Sequence, residues 1–126
     1  MSHRKAILVI GQNLFFLPRI QNVAGPSGYE VRLTARAPKF WELYDEGNVA
    51  LVLVDLEGDK DTWVRLVRGL RERDAPTPRV VAFGPHADIA TLELARELGC
   101  DAVLTKGEFS SALKRIVETE GAELRA

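Results

Sequence analysis

The side chains that could do chemistry stand just behind short apolar runs. Asp55 and Glu57 follow residues 50–54, and Thr105 and Lys106 follow residues 102–104. Gly84, Pro85 and His86 follow residues 80–83, and Gly11, Gln12 and Asn13 follow residues 6–10. A carboxylate and an ammonium group can pair with each other, and an imidazole titrates near neutral pH. Gly84, Pro85 and Gly107 leave room for a small anion near helix amino termini. General acid–base catalysis, however, needs two groups of opposed role in one pocket. Glu57, Asp59 and His86 have no partner identifiable from sequence, so an enzyme is the least expected class. The glycines that would follow Gly11-Gln12-Asn13 in a dinucleotide-binding turn are missing, as is a lysine–serine ending. His3 and His86 are too few, and Cys100 too far from them, for a zinc site.

The runs that carry these residues read as strands. Residues 6–10, 50–54, 80–83 and 102–104 are apolar at consecutive positions and rich in β-branched types, as strands covered on both faces require. Residues 29–33 alternate, which predicts an edge strand. Between the runs the spacing turns helical. Trp63, Leu66, Val67 and Leu70 form one stripe, Ile89, Leu92, Ala95 and Leu98 a second, and Phe109, Leu113, Ile116 and Val117 a third. Asp88 and Lys60-Asp61 mark helix starts, while Gly47 and Gly99 mark stops. Pro18 opposes helical bonding except in a first turn, so the first helix is predicted to begin near Leu17. Leu14, Phe15 and Phe16 then form an apolar loop, expected to pack into the core; if exposed, Phe15 or Phe16 would plug the mouth or anchor a partner.

Strands and helices alternating five times through short connections imply a parallel sheet with right-handed crossovers. The expected fold is α/β: a doubly wound, flavodoxin-like, five-stranded sheet of order 2-1-3-4-5 in a three-layer αβα sandwich. Ligands of such sheets bind beyond the carboxyl ends of the strands, where the polar residues above are collected.

Two segments are more specific. Val49-Ala50-Leu51-Val52-Leu53-Val54-Asp55-Leu56 resembles the third strand of response-regulator receiver domains, which ends in the phosphorylated aspartate. Leu104-Thr105-Lys106, after Leu98-Gly99-Cys100-Asp101-Ala102, is similar to the strand that ends in that family's invariant lysine. The resemblance covers roughly residues 5–118 and implies a signalling module in a histidine-kinase pathway. It also implies a contact or homodimer face on the fourth and fifth helices and the strand between them, including Thr91, Glu93, Leu94, Val103, Ser110 and Lys114.

The departures from the family are equally specific. Receivers place two acidic residues after the first strand to hold magnesium; here Gly11 has no side chain and Gln12 has only a neutral amide, a poor set for an ion that prefers anionic oxygens. The family's hydroxyl residue at the end of the fourth strand is Gly84, the fifth-strand aromatic is Val103, and the proline after the lysine is Gly107. With the bridging ion lost, the transition state for phosphoryl transfer loses several kcal/mol of stabilisation. A pseudo-receiver follows, acting through protein contact and without a cofactor. Asp55 and Lys106 are expected to form a direct ion pair, since no second carboxylate competes. Two rivals are a working receiver in which Gln12, Asn13 and Glu57 replace the missing acids, and a sensor of nucleotides or small anions in the same cleft.

The 126 residues, read as a single domain over 1–126, are 46% hydrophobic and 28% charged, with a net charge of −1. No bias towards nucleic acid or membrane surfaces is visible in that balance. Five apolar residues after His3, Arg4 and Lys5 are too few for a signal peptide or a span. The lone Cys100 fits a buried position and a reducing cytoplasm. With no output domain after Glu118, the signal is expected to pass through a separate partner.

Overall fold

The computed structural model describes residues 4–74 and 76–124; His3 lies outside them. Ten elements alternate along the chain: β1 (Ala6–Ile10), α1 (Leu17–Ala24), β2 (Glu30–Thr34), α2 (Ala37–Asp45), β3 (Val49–Asp55), α3 (Lys60–Glu72), β4 (Arg79–Gly84), α4 (Ile89–Glu97), β5 (Ala102–Thr105) and α5 (Lys106–Thr119). Every strand pairing is parallel and the order is β2-β1-β3-β4-β5. This is the expected flavodoxin-like arrangement. No helix among the described residues is long and apolar enough to cross a membrane.

Consecutive strand residues point to opposite faces, so the unbroken apolar runs serve two cores. Leu8, Ile10, Val52, Val54, Val80 and Ala82 pack against α2, α3 and α4. Ile7, Val9, Leu51, Leu53, Val81 and Phe83 pack against α1 and α5. The helix boundaries follow side-chain chemistry. Asp59 and Asp88 accept hydrogen bonds from the backbone N–H groups of Thr62 and Thr91, and Thr105 and Glu108 form a reciprocal capping box. α1 begins at Leu17 with Pro18 in its first turn, as its missing N–H demands. Gly47 and Gly99, with φ of 87° and 94°, end α2 and α4 in the left-handed region. One helical stripe needs correction: Leu92 and Ala95 are buried, but Ile89, in the first turn of α4, is exposed.

α2 and α3 come closest where Gly69 faces Trp41. A Cβ built on Gly69 would stand 2.6 Å from Cζ2 of Trp41. That ring is held by Phe40 and Tyr44, at centroid distances of 5.1 and 5.6 Å, and by the Arg73 guanidinium 4.3 Å from its centre. Alanine in a helix interior is ordinarily better than glycine by about 1 kcal/mol. Here Gly69→Ala should instead destabilise the chain by about 1–3 kcal/mol in urea melts, because the pinned ring must move. In a Trp41→Ala background the same change should reverse sign and stabilise.

Candidate functional site

The carboxyl ends of β1, β3, β4 and β5 bring together the residues singled out in the sequence. Asp55 is the last residue of β3 and lies opposite Phe83 of β4. Its alternation with Leu51 and Leu53 aims it at the α1–α5 side of the sheet, where Phe16, Phe83 and Phe109 cluster. Phe83 and Phe109 stack at 4.0 Å, and Phe16 meets their edges at 5.2 and 5.6 Å. Asp55 is only 5% exposed, and this burial is the main cause that raises its pKa above the ordinary carboxylate value. The backbone N–H of Glu57 opposes the rise by donating to Asp55 Oδ1 at 3.0 Å. The negative charge of Glu57 adds to the rise, and the positive charge of Lys106 opposes it weakly.

The expected Asp55–Lys106 ion pair is not formed. Lys106, at the start of α5, pairs with Oε1 of Glu57. The physical reason is accessibility: the two partners are 40% and 39% exposed, so their pairing removes little water, whereas reaching Asp55 would draw an ammonium group toward a buried carboxylate. The premise that no second carboxylate competes was therefore wrong. Glu57 was among the residues expected at the mouth, but its role was missed. The signal for it is its place two residues beyond Asp55, on the turn closed by Gly58 N–H donating to the Asp55 carbonyl at 3.0 Å.

The remaining site residues are placed as follows. Gly11 is buried, and a Cβ there would stand 3.0 Å from Asp55 Cβ. Gly58 also allows close approach, its built Cβ lying 3.2 Å from the Asp55 carbonyl oxygen and 3.4 Å from Gly11 Cα. Gln12 is exposed. Asn13 Oδ1 accepts from the Phe15 N–H at 2.8 Å, so this side chain shapes the loop. Gly84 is buried beneath Leu56, whose Cβ would be 3.1 Å from a side chain there. Pro85 is half-buried and His86 is exposed. The apolar loop divides: Phe16 is core, while Leu14 and Phe15 are 62% and 69% exposed. On the α4–β5–α5 face, Val103 is buried and therefore offers no surface, in contrast to the expectation.

As a magnesium site this set is poor. Of the nearby carboxylates, Asp55 is buried and Glu57 is engaged by Lys106; Gly11 supplies no ligand, and Asn13 already accepts a backbone hydrogen bond. Among the described residues no group of three or more His, Cys, Asp or Glu side chains could hold a metal ion.

Comparison with known proteins agrees with the fold. The receiver domain of the trimethylamine N-oxide (TMAO) respiratory response regulator TorR superposes with a TM-score of 0.75 at 23% identity, covering 91% of this chain and 95% of that one. A response regulator from Thermotoga maritima gives 0.75 at 16% identity, covering 95% and 99%. The receiver domain of Ssk1 from Saccharomyces cerevisiae, solved with the histidine phosphotransfer protein Ypd1, gives 0.72 at 17% identity, covering 96% and 92%. The chain has the receiver fold. No protein-family model matches it. A ketoreductase from Aspergillus novofumigatus is 37% identical over 70 residues, or 51% of this chain, and the match spans one fifth of that enzyme's length.

Two outcomes follow from this geometry. Phe16→Ala should lose about 3–5 kcal/mol in urea denaturation, whereas Phe15→Ala should change stability by no more than about 0.5 kcal/mol. Asp55→Asn keeps an oxygen for the Glu57 N–H but cannot ionise. Because the folded pKa of Asp55 is raised, its favourable contribution is present below the ordinary carboxyl value and lost as pH rises through the folded value. Asp55→Asn should therefore raise the melting temperature at neutral pH, and the gain should vanish below about pH 4.

Proposed function

We propose that this chain is a receiver-like signalling module that works through contact with a protein partner, with phosphoryl transfer to Asp55 weak or absent and no cofactor required. The observation that carries this reading is the Glu57–Lys106 pair beside a buried Asp55. Transfer of a phosphoryl group depends on positioned positive charge to meet the equatorial oxygens. Lys106 already has an anion, and Gly11 and Gln12 add no carboxylate to recruit a divalent ion. Gly84 lacks the hydroxyl that family members move onto the phosphoryl group, and Leu56 fills the space above it.

The partner is a protein, and a component of a histidine-kinase pathway is favoured by the similarity to the Ssk1 receiver, which was solved with a histidine phosphotransfer protein. The face formed by α4, β5 and α5 is a second contact surface, or one for a homodimer, through Thr91, Glu93, Leu94, Ser110 and Lys114, without Val103. A cytoplasmic setting fits the buried thiol of Cys100. A reductase role by analogy with the partial ketoreductase match is disfavoured, since Gly11-Gln12-Asn13 lacks a glycine-rich phosphate turn.

The test is direct. Incubating the chain with magnesium and acetyl phosphate should leave its intact mass unchanged. A phosphoryl adduct that forms on the wild type and disappears in Asp55→Asn would overturn this reading.

A further inference from the structure

Glu57 does more at the mouth than fill space. Its backbone N–H is tied to Asp55 Oδ1 at 3.0 Å, and the turn after it is closed by Gly58 N–H on the Asp55 carbonyl at 3.0 Å. These two bonds fix where the Glu57 side chain starts, and its carboxylate ends on Lys106. Asp55 thus contributes a buried anchor for a turn that presents a different carboxylate to the lysine. The side of Lys106 towards α5 is fixed as well. Thr105 Oγ1 accepts from the Glu108 N–H at 3.2 Å, and Glu108 Oε1 accepts from the Thr105 N–H at 2.8 Å. That capping box sets the first turn of the helix on which Lys106 stands. Both partners of the ion pair are therefore held by backbone whose position is determined on either side of the cleft, which reduces the side-chain freedom that pairing must remove.

From this we infer that Glu57 is a positioning residue that withholds Lys106 from Asp55, acting as an internal anion whose charge, and not the state of Asp55, sets the electrostatics of the mouth. The inference rests on the reading of the chain as a receiver-like module and specifies how its site is regulated. The competition is between an exposed carboxylate and a buried one for the same ammonium group. The Glu57 N–H occupies Asp55 Oδ1, and among the described residues no hydrogen bond reaches Oδ2, the acceptor to which Lys106 would turn once residue 57 lost its charge. A partner protein that docks at this end meets a neutralised pair, and only a group that competes for Glu57 or for Lys106 changes what it meets.

The pair can be read without any phosphoryl donor, from the side-chain ammonium resonance of Lys106 in 15N-lysine-labelled protein at low temperature, assigned by its loss in Lys106→Met. An ammonium held in an ion pair exchanges its protons slowly enough to be seen. In the wild type the signal should be present, and in Asp55→Asn it should remain at nearly the same position. In Glu57→Gln it should shift as Lys106 moves to Asp55, and in the double variant Glu57→Gln with Asp55→Asn it should be lost to exchange. Loss or a large shift in Asp55→Asn alone would place Lys106 on Asp55 and overturn the inference. An unchanged signal in Glu57→Gln would overturn it equally. Urea melts of each variant report folding separately, and Glu57→Asp, which keeps the charge on a shorter arm, should retain a protected signal. This experiment is independent of the acetyl phosphate test: Lys106 can be found on Asp55 in a chain that takes no phosphoryl group, and on Glu57 in one that does.

Discussion

One lysine placed between two carboxylates governs the carboxyl end of this sheet. Lys106 stands where β5 gives way to α5, with Asp55 buried on one side and Glu57 half-exposed on the other. Moving an ammonium group into the less hydrated site carries a desolvation penalty, and the attraction there must exceed it before that site wins. At the edge of the cleft Glu57 offers comparable attraction with less water to remove. The buried carboxyl is left with one backbone N–H on Oδ1 and a pKa raised mainly by its burial. The mouth is in this way divided into a charged pair near solvent and an acid held in the core.

The glycines at the mouth give that division its shape. Gly11 and Gly58 let the β1–α1 connection pass within van der Waals distance of the β3–α3 turn, since a built Cβ at Gly58 comes within 3.4 Å of Gly11 Cα. A side chain at position 11 would press on Asp55 at 3.0 Å, so the residue that omits a metal ligand also allows the backbone to close over the aspartate. Gly84 acts alike under Leu56. In each case the missing side chain lets a neighbour approach closely: the Asp55 side chain at Gly11, backbone at Gly58 and the Leu56 side chain at Gly84.

The sequence made the frame legible because each strand had both faces to bury. Unbroken apolar runs reveal covered strands, and Lys60-Asp61, Asp88, Gly47 and Gly99 mark helix ends, the cap of α3 itself falling one residue earlier, on Asp59. Even the delayed start of α1 followed from the ring of Pro18. The pairing at the site was not legible in the same way. Asp55 and Lys106 match the receiver pattern by position, but which carboxylate holds the lysine depends on relative burial, a property of the folded surface. The apolar loop shows the same limit, for Leu14, Phe15 and Phe16 are alike in hydrophobicity and only the packing of Phe16 on Phe83 and Phe109 separates core from surface. Val103 failed as a surface residue for the converse reason: a strand between two helix layers has no face left to offer.

The opposite end of the sheet has its own internal neutralisation. Glu120 Oε2 accepts from the Tyr29 hydroxyl at 2.7 Å and from Lys5 at 3.0 Å, which ties the residues flanking β1 and β2 to the end of α5. Hydrogen bonding to Tyr29 lowers the pKa of Glu120, while burial together with Glu120 raises that of Tyr29 to about 12, so this tie keeps its charges across the neutral range. With ion pairs formed within the chain at both ends, what distinguishes the mouth is apolar: Leu14 and Phe15, exposed yet fixed by Asn13 through its hydrogen bond to the Phe15 N–H and by the edge contact of Phe15 on the anchored Phe16 ring at 5.1 Å. A rigid aromatic loses little conformational entropy when it is covered. At this mouth the charged pair is matched internally while Phe15 is held in place at the surface, an arrangement that supports the proposed contact with a protein.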